Sequence, residues 1–213
     1  MAEENRERDL VLAPNEYAFI SDQTKGNINV YVGPYKTSLA NTDKPVFFNN
    51  DTKKFERCSL EESIKTFVTA PEGWYVVMKN PPKDGAQPKT GTTNNLAELN
   101  VGRKVNIPGP VNFSLWPGQM AKVLHGHHLR SNQYLLVRVY DEEEAKKNWT
   151  KAVIKTKSGE DNIEEISEEN PDLTMGKTIV IKGSSVSFYI PPTGVEVVRD
   201  DFDDEYVREA VTL

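Results

Sequence analysis

Three histidines fall within four residues, His125-Gly126-His127-His128, and they are the only histidines in the chain. Two or three imidazoles so close together could ligate zinc or nickel, or form a pH-sensitive interface. No carboxylate ligand is obvious nearby in the sequence. The preferred reading is a polar turn between Met120–Leu124 and Tyr134–Tyr140, with no bound metal and His125, His127 and His128 as weak metal candidates. The single cysteine, Cys58, could serve as a nucleophile with a distant histidine, but Arg57 and Ser59 beside it read as a surface loop. One cysteine also excludes an internal disulfide framework and a multi-cysteine zinc site. Gly176-Lys177-Thr178 echoes the end of a phosphate-binding loop, yet the earlier glycine is missing and the β-rich Ile179–Ile181 follows where a helix would be needed. Asp200–Glu205 is acidic without the glycine and alternating spacing of a calcium loop, and reads as a solvated turn. Asn148-Trp149-Thr150 matches a glycosylation sequon, read as unused. Trp116 and Trp149 read as core or interface anchors. Lys151, Lys155 and Lys157 around Val153-Ile154 read as guards of a strand edge. The expectation is therefore no catalytic residue, no cofactor-binding residue and no cofactor.

Composition agrees. The 213 residues carry 26 basic and 32 acidic side chains, a net charge of −6, which argues against a dedicated nucleic-acid binder. A hydrophobic fraction of 37% is low for one thick core, while 8 Tyr, 8 Phe and 3 Trp still require burial. Several thin modules suit both facts. From Ser158 to Glu205 there are 13 acidic and 3 basic residues, a net of −10 that leaves +4 for the remainder. Head-to-tail contact between these oppositely charged parts of adjacent copies is one expected mode of association. Residues 1–9 form a charged tail without the apolar segment of a secretion signal. No apolar run is long enough to span a membrane. The expected location is cytoplasmic, or the virion if the protein is viral.

The elements around these residues are mostly short strands. Asp141–Trp149, with acids first and lysines last, predicts a two-turn helix. Ser59-Leu60-Glu61-Glu62-Ser63-Ile64 predicts a serine-capped turn. Elsewhere β-rich runs alternate with Pro, Gly and Asn. Two patterns recur. Ala13–Ile20 aligns with Ala70–Val77 at an offset of 57, pairing Tyr17 with Trp74, and a looser copy spans Arg130–Val137. A β-rich stretch ends at glycine in Val30–Gly33, Val105–Gly109 and Ile179–Gly183, with a proline (Pro45, Pro117, Pro191) and a further strand after each. The predicted architecture is all-β: tandem small antiparallel modules at 10–66, 67–128 and 129–213, with few short helices and an acidic insert at 159–171. Arg208–Leu213 reads as the opening of a further module or as a strand closing the third. Tyr17, Phe19, Tyr75, Val77, Leu135, Val137 and Val139 are expected to point inward.

This ordered series resembles the N-terminal repeats of the major vault protein family. The resemblance rests on Pro14–Tyr17 with Asp22, Val30–Pro34, and Val68–Pro71 with Tyr75, Val77, Asn80 and Pro81. It continues through Leu115-Trp116-Pro117-Gly118 and ends on Gly183, Phe188–Pro191 and Val195–Val198. It implies small β modules that follow one another along the wall of a particle. The insert from Gly159 to Pro171 is longer than a plain repeat loop. The expected function is that of a non-enzymatic structural protein that self-assembles through its modules into a shell, ring or particle. One alternative is a structural or accessory protein of a tailed-phage virion, bound to other virion proteins. The other is a metal-dependent enzyme using the histidines.

Overall fold

The computed structural model describes residues 9–49, 51–156, 171–199 and 207–209. The expected N-terminal tail, most of the acidic insert, the Asp200–Glu205 run and the last four residues lie outside them. The fold is all-β, built of many small antiparallel sheets with two short α-helices among the described residues.

Three strand sets repeat. In the first, β1 (Asp9–Leu12) pairs with β4 (Tyr35–Ser38), and β2 (Glu16–Asp22) lies between β3 (Asn27–Val32) and β5 (Asp43–Asn49). The linker then forms β6 (Lys54–Arg57), α1 (Leu60–Ser63) and β7 (Ile64–Thr66). In the second set, β8 (Val68–Ala70) pairs with β12 (Val111–Phe113), and β9 (Trp74–Lys79) lies between β11 (Lys104–Pro108) and β13 (Met120–His125). A short extra strand, β10 (Thr92–Asn94), is inserted between β9 and β11 and pairs with β3. In the third set, β14 (His127–His128) pairs with β18 (Val186–Ile190), and β15 (Gln133–Val139) lies between β17 (Thr178–Lys182) and β19 (Val195–Val197). Its insert holds α2 (Glu142–Asn148), a 3-10 turn and β16 (Val153–Thr156) on the edge of β18. Finally β20 (Val207–Glu209) pairs with Gln133–Leu135 of β15, as β7 pairs with Glu16–Ala18 of β2.

Local chemistry explains the breaks. Ser59 and Glu62 form a reciprocal capping box at α1, and the Asp141 side chain accepts the Glu144 amide at the start of α2. Each central strand follows a tight turn, closed by Glu16 N–H to Ala13 O at 3.2 Å, Trp74 to Pro71 at 3.1 Å and Gln133 to Arg130 at 3.0 Å. Each second strand ends on a glycine whose amide returns to that turn at 2.8 Å: Gly33 to Glu16, Gly109 to Trp74, Gly183 to Gln133. A Cβ on any of the three would collide with the turn carbonyl of Ala13, Pro71 or Arg130, so the crossing requires glycine.

These bonds correct the alignment read from sequence. Trp74 occupies the turn position of Glu16, so the equivalent strand positions are Tyr17, Tyr75 and Tyr134, one residue away from the Tyr17–Trp74 pairing. The proline pattern also changes. The turns before β5, β13 and β19 are Ala40–Asp43, Trp116–Gln119 and Pro192–Val195, whereas Pro45 lies inside β5 opposite Ile20. His127-His128 is a strand rather than a turn, and its pairing with Tyr189 and Phe188 groups it with the residues that follow.

Packing divides the chain into two compact units, which split residues 67–128 between them. The first comprises Met1–Thr69, Lys79–Arg103 and Val111–Ala121; the second comprises Ala70–Met78, Lys104–Pro110 and Lys122–Leu213. In the first unit β2 is buried on both faces. Ala18 and Ile20 face a core with Leu10, Leu12 and Leu39, while Tyr17 and Phe19 face one with Val30, Val32, Val46 and Trp116. In the second unit Leu135, Val137 and Val139 join Ile181, Val186, Tyr189 and Val195, and Tyr75 packs with Phe188 and Ile190. Six of the seven expected core residues are buried; Val77 is half-buried, between the fully buried Val76 and Met78.

Leu135 is 0% exposed, so Leu135→Ala should cost about 2–5 kcal/mol in denaturant unfolding. Gly183→Ala, which removes no side chain, should also lower the midpoint, because the added Cβ meets the Arg130 carbonyl.

Candidate functional site

The histidine stretch and its surroundings lie in the second unit. Strand alternation sends His127 and His128 to opposite faces of β14. His127 is buried, and its Nε2 shares a hydrogen bond of 3.2 Å with the Tyr75 hydroxyl. Burial, followed by the neighbouring His128, pulls its pKa down from 6.5 to about 4, so the ring is neutral at pH 7. The Tyr189 phenol lies in the same interior. Burial and then Tyr75 push it well above its ordinary range, and its hydroxyl has no hydrogen-bond partner among the described residues. His125 is exposed and stacks on Trp74, while His128 is exposed with its ring 4.9 Å from that of Phe188. The three imidazoles thus have three different neighbours, and no group of three metal-ligating side chains converges among the described residues.

Beside His128 is an open groove of about 500 Å³, whose walls include Glu72, Val153, Lys155, Phe188 and Ile190. The Lys155 ammonium lies 5.7 Å above the Phe188 ring. A smaller hollow of about 270 Å³ includes Asn106, Asn148, Lys151 and Thr193. Asn106 is held on both sides: its backbone amide donates to Thr193 Oγ1 at 3.0 Å, and its side chain donates to the carbonyls of Pro191, Pro192 and Val195. Glu196 lies between Lys104 and Arg138, the latter at 2.6 Å. Burial raises the Glu196 pKa, but the hydrogen bonds from Lys104 and Arg138 outweigh it and hold the carboxylate below its usual range. Lys104 also lies 3.9 Å from the Tyr140 ring centre. These polar groups serve one another and hold the loops of this unit in place.

Cys58 is half-buried before α1; burial and then Glu62 raise its pKa, which disfavours the nucleophilic thiolate. Gly176 has φ +85° in the turn before β17, and Lys177 pairs with Asp172 at 3.2 Å. Lys151 donates to Asn148, and Lys155 lies on the edge strand β16; Lys157 is outside the described residues. Asn148 is buried and its amide donates to Glu144, which leaves the sequon closed in the folded state. Trp116 is core, its Nε1–H donating to the Ala86 carbonyl at 2.7 Å, and Trp149 packs on the main core of the second unit. Sequence reasoning missed the Tyr75–His127 pair, because a two-residue strand has no periodicity to read. No helix among the described residues is long and apolar enough to cross a membrane.

The buried histidine gives a signed pH dependence. Its folded pKa of about 4 lies below the ordinary histidine value of 6.5, so the unfolded chain binds the extra proton. The contribution is present above pH 6.5 and is lost as pH falls toward 4. By pH 5 the loss should be about 2 kcal/mol, and His127→Gln should remove that part of the pH dependence in urea titrations.

Comparison with known protein families finds no matching family model, and comparison with curated proteins finds no similar sequence.

Proposed function

We propose that this chain is a non-enzymatic structural protein that self-assembles through its β modules into a larger shell, ring or particle, in the manner of the vault repeats its sequence resembles. One observation carries the reading: a module's edge and aromatic face are completed by the strand set that follows it. Within the first unit, Tyr17 and Phe19 of β2 are covered by Leu99, Leu115 and Trp116. Within the second, Tyr75 and Val77 of β9 are covered by Phe188, Ile190 and Val153. A fold that closes each layer with the next is suited to extension, as stacked repeats are. The described polar clusters have structural partners, and the exposed imidazoles rest on aromatic rings, which also favours a structural role.

Purified protein should sediment and scatter light as an assembly of several 24.0 kDa chains, with the proportion rising with concentration. A monomer at all accessible concentrations would overturn self-assembly.

A further inference from the structure

The three second strands β3, β11 and β17 are equivalent, since each ends at one of the crossing glycines, Gly33, Gly109 or Gly183. Their outer edges differ in one respect. The edge of β3 is paired with β10, Asn94 opposite Val30, and Gly91 N–H donates to the Val32 carbonyl at 3.0 Å. The edge of β11 is held at Asn106, whose amide donates to Thr193 Oγ1 and whose carbonyl accepts from it. The position equivalent to Val30 and Asn106 is Val180, counted back from the glycine. Among the described residues β17 has β15 as its only strand neighbour, and Val180 is 45% exposed where Val30 is 0%.

The face beside this edge is open in the same way. By register, Tyr134 and Leu136 take the places of Tyr17 and Phe19. Tyr17 and Phe19 are buried in their unit, whereas Tyr134 and Leu136 are only half-buried. Tyr134, Leu136 and Val180 therefore form an apolar patch along a strand edge with no strand partner among the described residues, the arrangement that β addition uses.

We propose that the outer edge of β17, with the Tyr134–Leu136–Val180 face, docks an extended segment of another polypeptide that pairs antiparallel with β17 and lays an aliphatic side chain on that face. The proposal rests on the module-stacking reading above and names the partner chemistry it implies. The precedent within this chain is residues 88–100, which supply the strand Thr92–Asn94 to β3 and then pack Ala97 and Leu99 on the neighbouring core. Charge refines the partner. Exposed Lys182 stands at one end of the edge, so a neutral or acidic segment fits better than a basic one; the internal precedent carries Glu98 beside Leu99. A second copy of this chain is a poorer occupant. The strand of its first module equivalent to β18 is β4, which exposes Lys36 and Ser38 where β18 buries Phe188 and Ile190.

The test is a titration of the ¹⁵N-labelled full chain with a synthetic peptide of residues 88–100, followed by amide chemical shifts. Expected shifts are confined to Thr178–Lys182, Tyr134 and Leu136. Val180→Pro, which removes an outward amide while leaving the β15 side intact, should abolish them. A Leu99→Ala peptide should weaken binding several-fold without touching the labelled protein. Absence of shifts at millimolar peptide, or equal shifts from a scrambled peptide, would overturn the proposal. So would β17 amides that broaden with protein concentration before peptide is added, since a second copy would then occupy the edge. Light scattering reads self-assembly separately, so either idea can fail while the other stands.

Discussion

The structure depends on one crossing, made three times. A glycine at the end of a strand passes so close to the carbonyl of the preceding turn that no side chain fits, and its amide bonds to the residue that opens the central strand. The crossing at Gly33, Gly109 and Gly183 fixes the register of the second strand on the first. Because side chains alternate along a strand, that register also decides which residues face each side of the sheet. Tyr17, Tyr75 and Tyr134 are equivalent only because the glycine bonds make them so.

A module built on this crossing has a small sheet with two apolar faces, and it cannot bury both alone. In the first unit β2 is buried on both sides because two sets of residues supply its cores. In the second, Tyr75 is completed by Phe188 and Ile190. The same economy explains why the compact units do not follow the repeats: residues 67–128 contribute to both. It also turns polar groups inward as struts. His127 on Tyr75 and Asn106 on the 191–195 turn each satisfy buried or edge groups that would otherwise be costly.

Much of this was legible in the sequence, and the gaps have physical causes. The all-β class, the Ser59 cap, the Asp141 helix and the glycine-ended strands follow from local chemistry, and the structure contains each. The alignment slipped by one because Trp74 is an aromatic at a turn position, where it stacks on His125 instead of entering the core. The sequence pattern places Pro45 before a strand, but it stands within β5, opposite Ile20. The strand Thr92–Asn94 is polar throughout and carries no alternation, so its pairing with β3 has no signature. The histidines illustrate the same limit: their spacing suggests a ligand set, and backbone alternation separates them.

The central claim is that the outer edges of β3 and β11 are held by residues that follow them in the chain, while β17 has no strand on its outer edge among the described residues. Amide hydrogen exchange on the isolated chain tests this most directly. The Asn106 amide, held by Thr193, and the outward amides of β3 should exchange slowly, while the Val180 amide exchanges at close to the rate of an unstructured peptide. Equal protection of all three strands would contradict the account.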